Sequence, residues 1–170
     1  SAGNGSGFSF FSKKGEKKWS LASSYTEIPV ITDKSLVFVS GSSLEKADFE
    51  SGAVSASVDI EKSRYQKPEY FGGSVYINSG SDVLKINTES FEKEQVYTLP
   101  DPAVSNPYYY KGKLYTVNDK GTLLIYGKKN AEESAVAVSR GNPEGIDITA
   151  SEGTVYFAGL KGELFAMSIE

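Results

Sequence analysis

The sequence predicts an all-β fold built from one repeated four-stranded unit, and three observations support this. Pro29, Pro68 and Pro107 lie 39 residues apart, and Ile146 occupies the next position in the same register. Short runs rich in Val, Ile, Tyr, Phe and Leu alternate with turn signals such as Gly72-Gly73. No segment has a sustained helical period. Four-stranded units that repeat at about forty residues are typical of β-propeller blades.

Within the first unit we predict strand A near residues 28–33, strand B near 35–40, strand C near 44–49 and strand D near 56–60. The near-continuous apolar run of strand B fits a blade, since both faces of a blade pack on neighbouring blades. A β-sandwich also uses many short strands, but its strands carry no such repeat. The prediction is therefore four four-stranded antiparallel blades of about 39 residues each.

The repeat divides the chain into a flexible lead, a hairpin and four blades. The hairpin contributes strands C and D of a preceding or closing blade, with Phe8–Phe11 as strand C and Trp19–Leu21 as strand D. The last blade is predicted to lack strand D. The predicted bounds are 1–7 for the lead, 8–27 for the hairpin, and 28–60, 61–99, 100–138 and 139–170 for the blades.

Composition excludes several kinds of chemistry. The chain of 170 residues contains no His and no Cys, so Ser-His-Asp and Cys-His mechanisms and thiolate metal sites are excluded. The net charge is −4 and the lysines are scattered, which argues against a nucleic-acid groove. The sequence has no run of about 18 apolar residues that would span a membrane. The Gly/Ser-rich opening, residues 1–7, has the character of a lead that often follows the processed start of an exported or lipid-anchored protein; a tag remnant or an ordinary disordered terminus is the alternative.

The repeat resembles the pyrroloquinoline-quinone-type propeller family, whose unit combines a Pro-containing strand, a VYV-like strand, an LYALD-like strand and a Gly turn before a Trp. The best matches are the segments 8–19, 44–52, 83–87 and 164–167. The family includes quinone-dependent dehydrogenases and non-catalytic envelope propellers of the BamB type. The adjacent cysteines and the docking tryptophans of the dehydrogenases are missing here. The resemblance therefore implies a binding or scaffold protein of the bacterial periplasm or cell envelope, with no cofactor.

The family more often builds rings of about seven or eight blades. We therefore expect the four blades to form part of a larger ring. It would be completed by further polypeptide or by a second copy of the chain. A lipid anchor upstream is the expected form of any membrane association.

Propellers usually bind partners through the loops that join consecutive blades, here residues 22–27, 61–66, 100–105 and 139–145. The only two arginines of the chain fall in these loops, and arginine is favoured at interfaces. Chance placement of two solvated arginines is the alternative. The predicted site for another protein or a small ligand comprises Tyr25, Arg64, Tyr65, Asp101, Arg140, Asn142 and Glu144.

Two other segments attract attention. Tyr108-Tyr109-Tyr110 aligns with strand A of the other units, which favours packing between blades over an exposed binding platform. The lysine-rich segment 13–18 falls on a hairpin turn, where a solvated charge run is the expected role and contact with anionic lipid is the alternative. The leading hypothesis is a non-catalytic binding scaffold. The alternative is a fragment of a propeller enzyme, either a quinoprotein or a glycan-active enzyme that uses carboxylates.

Overall fold

The computed structural model describes residues 7–22, 28–127, 132–137, 146–159 and 164–169, and every regular element among them is a β-strand. None of these residues belongs to a helix long and apolar enough to cross a membrane. A two-stranded hairpin comes first, followed by three four-stranded sheets and one three-stranded sheet. The strands are β1 Gly7–Phe11, β2 Lys17–Ala22, β3 Val30–Ile31, β4 Ser35–Ser40, β5 Ser43–Asp48, β6 Val54–Asp59, β7 Glu69–Phe71, β8 Ser74–Ser79, β9 Asp82–Asn87, β10 Lys93–Thr98, β11 Tyr108–Tyr110, β12 Lys113–Val117, β13 Thr122–Tyr126, β14 Glu132–Ala137, β15 Ile146–Ser151, β16 Thr154–Gly159 and β17 Leu164–Ser168.

Each sheet is an antiparallel meander in chain order, and we call the sheets units 1 to 4: β3–β6, β7–β10, β11–β14 and β15–β17. The predicted strands A to D correspond to the four strands of a unit. Strand A is shorter than predicted in unit 1, where only Val30 and Ile31 pair with strand B. In the first three units strand A begins at or just after the residue that follows Pro29, Pro68 or Pro107. A proline without an N–H suits this place, because no ladder bond is required there.

The A–B turns of units 2, 3 and 4 are two-residue loops in which both residues have positive φ. The pairs are Gly72-Gly73, Lys111-Gly112 and Glu152-Gly153, with φ between 48° and 83°. This is the type I′ geometry whose twist matches that of the flanking strands. The turn signals of the sequence therefore have the predicted structural role.

The units stack face to face in chain order, and each junction contains its own apolar cluster. We call the face of a unit that meets the preceding unit its N-side face, and the opposite face its C-side face. Val37 of unit 1 packs with Val75 and Ile77 of unit 2, and Tyr76 of unit 2 packs with Leu114 of unit 3. A third cluster joins unit 3 to unit 4, and a fourth joins the hairpin to unit 1.

The hairpin covers the outer part of the N-side face of unit 1. Trp19 and Leu21 of β2 pack against Leu36 and Phe38, and the Trp19 indole N–H donates a hydrogen bond to the carbonyl of Phe49 at 3.0 Å. In the described residues β2 pairs with β1 alone. The hairpin thus covers part of the face on which a preceding unit would stack, and its assignment as strands C and D of a blade stays a prediction. The division of the chain at 60/61, 99/100 and 138/139 stays a prediction.

Tyr108, Tyr109 and Tyr110 lie in strand A of unit 3 and are half-buried. Tyr109 stacks on Tyr76 of unit 2 with ring centroids 4.9 Å apart, and Tyr108 meets Phe71 edge to face at 4.9 Å. These are contacts between units, as the alignment predicted. Lysines 13 and 14 are exposed at the hairpin turn.

Candidate partner-binding site

The loops that join consecutive units meet the B–C turns at one end of the stack. The loop after unit 1 is bound to the B–C turn of unit 2, because Gly80 N–H donates to Glu61 O at 3.3 Å and the Ser63 hydroxyl donates to Gly80 O at 3.1 Å. The loop after unit 2 meets the B–C turn of unit 3 through Asp119 N–H and Pro102 O, 2.9 Å apart. We call this end the mouth surface, residues 61–67, 80–81, 100–106 and 119–121.

A buried amide holds two of these loops in place. Asn78, at the end of strand B in unit 2, is 1% exposed. Its Nδ2 donates to the carbonyl of Tyr65 at 2.7 Å and to that of Ser105 at 2.8 Å, so one side chain bridges consecutive inter-unit loops. Buried backbone carbonyls need such partners, and their satisfaction gives the loops one defined conformation.

The second of these loops is fastened further by Ser105 and Asn106, both buried. The Ser105 hydroxyl accepts from Val117 N–H at 2.9 Å, and Asn106 Oδ1 accepts from Ile148 N–H at 3.1 Å. Asn106 Nδ2 also donates to Glu69 Oε1 at 2.9 Å. The loop therefore bonds to three consecutive units, and the mouth surface is preorganised by the same stacking that forms the core.

Glu69 also accepts an ion pair from Lys67, with 3.0 Å between Nζ and Oε1. Burial lowers the pKa of Lys67, but the hydrogen bond to Glu69 and the negative charges of Glu69 and Asp147 outweigh burial and leave the pKa raised. Lys67 therefore stays protonated at neutral pH and serves to fix the carboxylate of Glu69.

Three of the predicted site residues lie on the mouth surface as described. Arg64 is exposed, and Tyr65 is half-buried with its carbonyl bonded to Asn78. Asp101 forms an ion pair with Lys120 of the neighbouring B–C turn, with 2.6 Å between the charged atoms. The hydrogen bond to Asp101 and its negative charge raise the pKa of Lys120. Tyr25, Arg140, Asn142 and Glu144 lie outside the described residues.

A second concave surface lies at the opposite end, between units 1 and 2, and the sequence interpretation missed it. This charged cleft has a volume of about 540 Å³. Lys46 and Lys85 stand on strand C of the two units, 39 residues apart, and this repeat of a lysine in one register is the signal that could have located it. Its wall comprises Thr32, Asp33, Lys34, Ser35, Lys46, Tyr70, Gly72, Gly73, Ser74, Lys85, Asn87, Thr88, Glu89 and Glu94.

The inner charges of the charged cleft are paired with protein groups. Glu94 accepts from Lys85 at 2.8 Å, from Asn87 at 2.9 Å and from the Ser74 hydroxyl at 3.1 Å. The hydrogen bonds from Lys85 and Asn87 lower the pKa of Glu94 to about 2. A carboxylate with such a low pKa is a weak base near neutral pH, so it suits hydrogen bonding to a polar ligand better than proton transfer.

Lys46 in the same cleft donates to the carbonyls of Thr88 at 2.8 Å and Glu89 at 3.1 Å, and its ammonium lies 5.4 Å from the centre of the Phe91 ring. The lysine thereby connects strand C of unit 1 to the C–D turn of unit 2. Among the described residues no group of three or more acidic side chains is placed to hold a metal ion.

No protein-family model and no curated protein sequence matches the chain. Solved structures do match. BamB from Moraxella catarrhalis superimposes with a TM-score of 0.75 at 14% identity, over 98% of this chain and 53% of that chain. The chain has a β-propeller fold. The computationally designed Ika4 protein superimposes with a TM-score of 0.71 at 10% identity, over 87% of this chain and 92% of that protein.

At these identities the likeness concerns the fold alone. The chain spans about half the length of the Moraxella protein, 53%. The predicted propeller architecture is confirmed, whereas membership of the pyrroloquinoline-quinone repeat family remains an expectation from the sequence.

Proposed function

We propose that the chain is a non-catalytic β-propeller scaffold that binds another protein through the mouth surface. The observation that carries this proposal is the preorganisation of that surface. Asn78 fixes two consecutive inter-unit loops from beneath, so the exposed side chains of those loops are presented without a large entropic cost of ordering on binding. Arg64 and Tyr65 stand on one of these loops, and Arg and Tyr are enriched where proteins bind one another.

We propose the bacterial cell envelope as the location. The Gly/Ser-rich opening of the sequence supports it, as does the resemblance of the repeat to the pyrroloquinoline-quinone-type family and its envelope members. A lipid anchor upstream would be the means of membrane attachment. The fold likeness to BamB is compatible with this placement.

The non-catalytic character rests on the sequence, which supplies neither His nor Cys. The opposing hypothesis is a quinoprotein or carboxylate-dependent glycan-active fragment. Calorimetry with calcium and pyrroloquinoline quinone, followed by a turnover screen on alcohols, sugars and glycans, separates the two hypotheses. Tight stoichiometric quinone binding or specific turnover would replace the scaffold proposal with the enzyme.

The test of the mouth surface uses the immobilised chain and a bacterial envelope extract. We expect a captured protein to bind the variant R64A/R140A about 1–4 kcal/mol more weakly than the wild type, because arginine anchors at interfaces contribute in this range. The matched control is K93A/K111A, which removes the same charge from exposed positions of units 2 and 3 outside the mouth surface and should bind as the wild type does. Equal binding to wild type and R64A/R140A would show that the surface used lies elsewhere.

The charged cleft supports a second candidate, a small polar ligand. Its volume of about 540 Å³ is within the range of small-molecule sites, about 300–1,000 Å³. A thermal-shift screen of polar metabolites against wild type and K34A, which changes an exposed wall residue, tests this candidate. A stabilising compound whose effect persists in K34A and disappears in R64A/R140A would assign small-ligand binding to the mouth surface instead.

A further inference from the structure

Unit 4 differs from the other units in the exposure of one side chain of strand B. Val37, Tyr76 and Tyr115 occupy equivalent places on the C-side faces of units 1, 2 and 3, and all three are at most 1% exposed because the next unit covers them. Tyr156 holds the same place in unit 4, directly after Val155, and is 37% exposed. The C-side face of unit 4 is therefore a stacking face without its neighbour.

Apolar residues of β16 and β17 lie beside Tyr156 on that face, and Thr149 and Asp147 of the edge strand β15 lie on the same side. Strand pairing places Ala166 opposite Tyr156 and Leu164 opposite Ala158, on the same side of the sheet. Leu164 is 73% exposed. An exposed apolar sheet face rimmed by polar groups is a typical site of association.

The opposite end of the stack has a complementary gap. Ile31 pairs with Leu36 in unit 1, just as Tyr70 pairs with Val75 and Tyr109 with Leu114 in the next two units. Tyr70 and Tyr109 pack against the preceding unit, whereas Ile31 is 60% exposed.

Ile28, next to the start of the same strand, is 69% exposed. The hairpin covers the outer part of the N-side face of unit 1, where Trp19 meets Phe38. It leaves the inner part, with Ile31, uncovered.

These two faces are the halves of one further junction of the kind that joins the units. At the junction of units 2 and 3, Tyr76 stacks directly on Tyr109. At the ends of the molecule, Tyr156 holds the place of Tyr76 and Ile31 the place of Tyr109. Both are exposed in the same molecule, so the two ends do not cover each other within one chain.

We propose that a second copy of this chain covers these faces in a head-to-tail dimer. Unit 4 of each copy would stack on unit 1 of the other. The dimer would then contain two identical junctions related by a two-fold axis, and no end face would stay exposed. The hairpin of the second copy would then lie beside the free edge of β17, which pairs with β16 alone in the described residues.

Charge supports this choice of partner. The hairpin carries four lysines, residues 13, 14, 17 and 18, against the single acid Glu16. The described residues of unit 4 contain two acids, Asp147 and Glu152, and no lysine or arginine. Since C–D and A–B turns lie at the same end of a unit, the lysine-rich turn of one copy would approach Glu152 of the other. Opposite charges at such a contact favour this partner over an unrelated sheet. This inference is independent of the mouth proposal.

The experiment measures mass in solution by sedimentation equilibrium. For the wild type we expect about twice the 18.4 kDa of one chain. I31D and Y156R each place a charge in both junctions of the dimer and should weaken dimerisation about 100-fold or more. V96D is the matched control, since Val96 is 38% exposed on the outermost strand of unit 2, which lies inside the stack and away from both end faces.

Mixing I31D with Y156R makes the test specific for head-to-tail association. A mixed dimer has one unaltered junction and one junction in which the two introduced charges are opposite, so the mixture should dimerise where each variant alone does not. Circular dichroism checks that both variants fold. A monomeric wild type, single variants that dimerise like the wild type, or a mixture that stays monomeric would each overturn the proposal.

Discussion

The contact between Trp19 of the hairpin and Gly52 of unit 1 allows a test of whether the hairpin packs on unit 1. Gly52 has φ of +73°, and a Cβ added there would lie 2.6, 2.8 and 2.9 Å from Cδ2, Cγ and Cε3 of the Trp19 ring. Carbon atoms in contact prefer about 3.5–4.0 Å, so the ring would have to move by roughly 1 Å. Gly41 has φ of +60° and nothing within 4 Å of a Cβ, which makes G41A the matched control.

The two substitutions separate backbone strain from overpacking. An L-residue in the left-handed region costs about 1–2 kcal/mol, and both variants should lose this amount. G52A should lose a further 1–3 kcal/mol or so, because the displaced indole sits in a packed cluster. For a chain of this size the additional loss corresponds to a melting temperature lower than that of G41A by roughly 2–12 °C.

The assay combines thermal unfolding by circular dichroism with fluorescence. Trp19 is the only tryptophan of the chain, so its emission reports this contact alone. We expect a red-shifted emission in G52A and an unchanged one in G41A. In the background W19V, G52A should cost no more than G41A does in the wild type. Equal losses in G52A and G41A with unchanged emission would refute the packing of the hairpin on unit 1.

Three further predictions concern the core, the mouth surface and the charged cleft. V75D should lose several kcal/mol, since Val75 is fully buried and a carboxylate there has no partner, whereas V54D at a half-exposed position should lose less than about 1 kcal/mol in urea unfolding. N78A removes the amide that donates to the carbonyls of Tyr65 and Ser105 and should lose about 1–3 kcal/mol, with faster hydrogen exchange in the two loops that it bridges; unchanged exchange would contradict the bridging role. Glu94 has its pKa lowered from 4.5 to about 2 in the folded chain, so its stabilising effect is present above pH 4.5 and is lost as the pH falls through about 2. Melting temperatures between pH 5 and 2 should therefore fall less steeply in E94Q than in the wild type, while E92Q, an exposed control, should follow the wild type.

Most of the fold could be predicted from the 39-residue repeat of the sequence. Leu36, Val75 and Leu114 follow one another at 39 residues and Val155 follows after a slip of two residues, and all four are buried in strand B of their units. Spacing succeeds here because each unit must present the same face to its neighbour, so one packing solution recurs. The length of strand A in unit 1 was overestimated, since only Val30 and Ile31 pair with strand B there.

The site was less predictable, because it depends on groups that do not repeat. Spacing placed Arg64, Tyr65 and Asp101 in inter-unit loops, which the structure shows beside the B–C turns, but it could not show that Asn78 holds two of those loops. The equivalent residues of Asn78 in units 1 and 3 are Val39 and Val117, both apolar. A single polar replacement in a repeated core is a signal of loop fixation that can be sought in other repeat sequences.

Residue sizes on the two sides of a junction compensate each other, so the same architecture forms with different residues. In the repeat register Trp19 corresponds to Val58 and Gly52 to Phe91. The junction between the hairpin and unit 1 combines a large residue, Trp19 of β2, with Gly52 in the C–D turn of unit 1. The second combines Val58 with Phe91, which adopts φ of 59° and is buried in the same cluster. At the first junction the aromatic ring, Trp19, comes from the hairpin that precedes the junction. At the second junction the ring, Phe91, comes from the unit that follows it. The two junctions thus keep a similar packed volume with different sequences.

Stacking also determines what a second copy would do to the mouth surface. All units of a stack present their inter-unit loops at the same end, so closure of a ring by two copies would place both mouth surfaces at one end of the dimer. Arg64 of each copy would then flank the same opening from opposite sides. A partner that spans the opening would bind once per dimer and contact both copies, and its affinity would rise through the second contact without any new side chain. In this arrangement I31D and Y156R, although distant from the loops, would weaken partner binding singly and restore it when mixed.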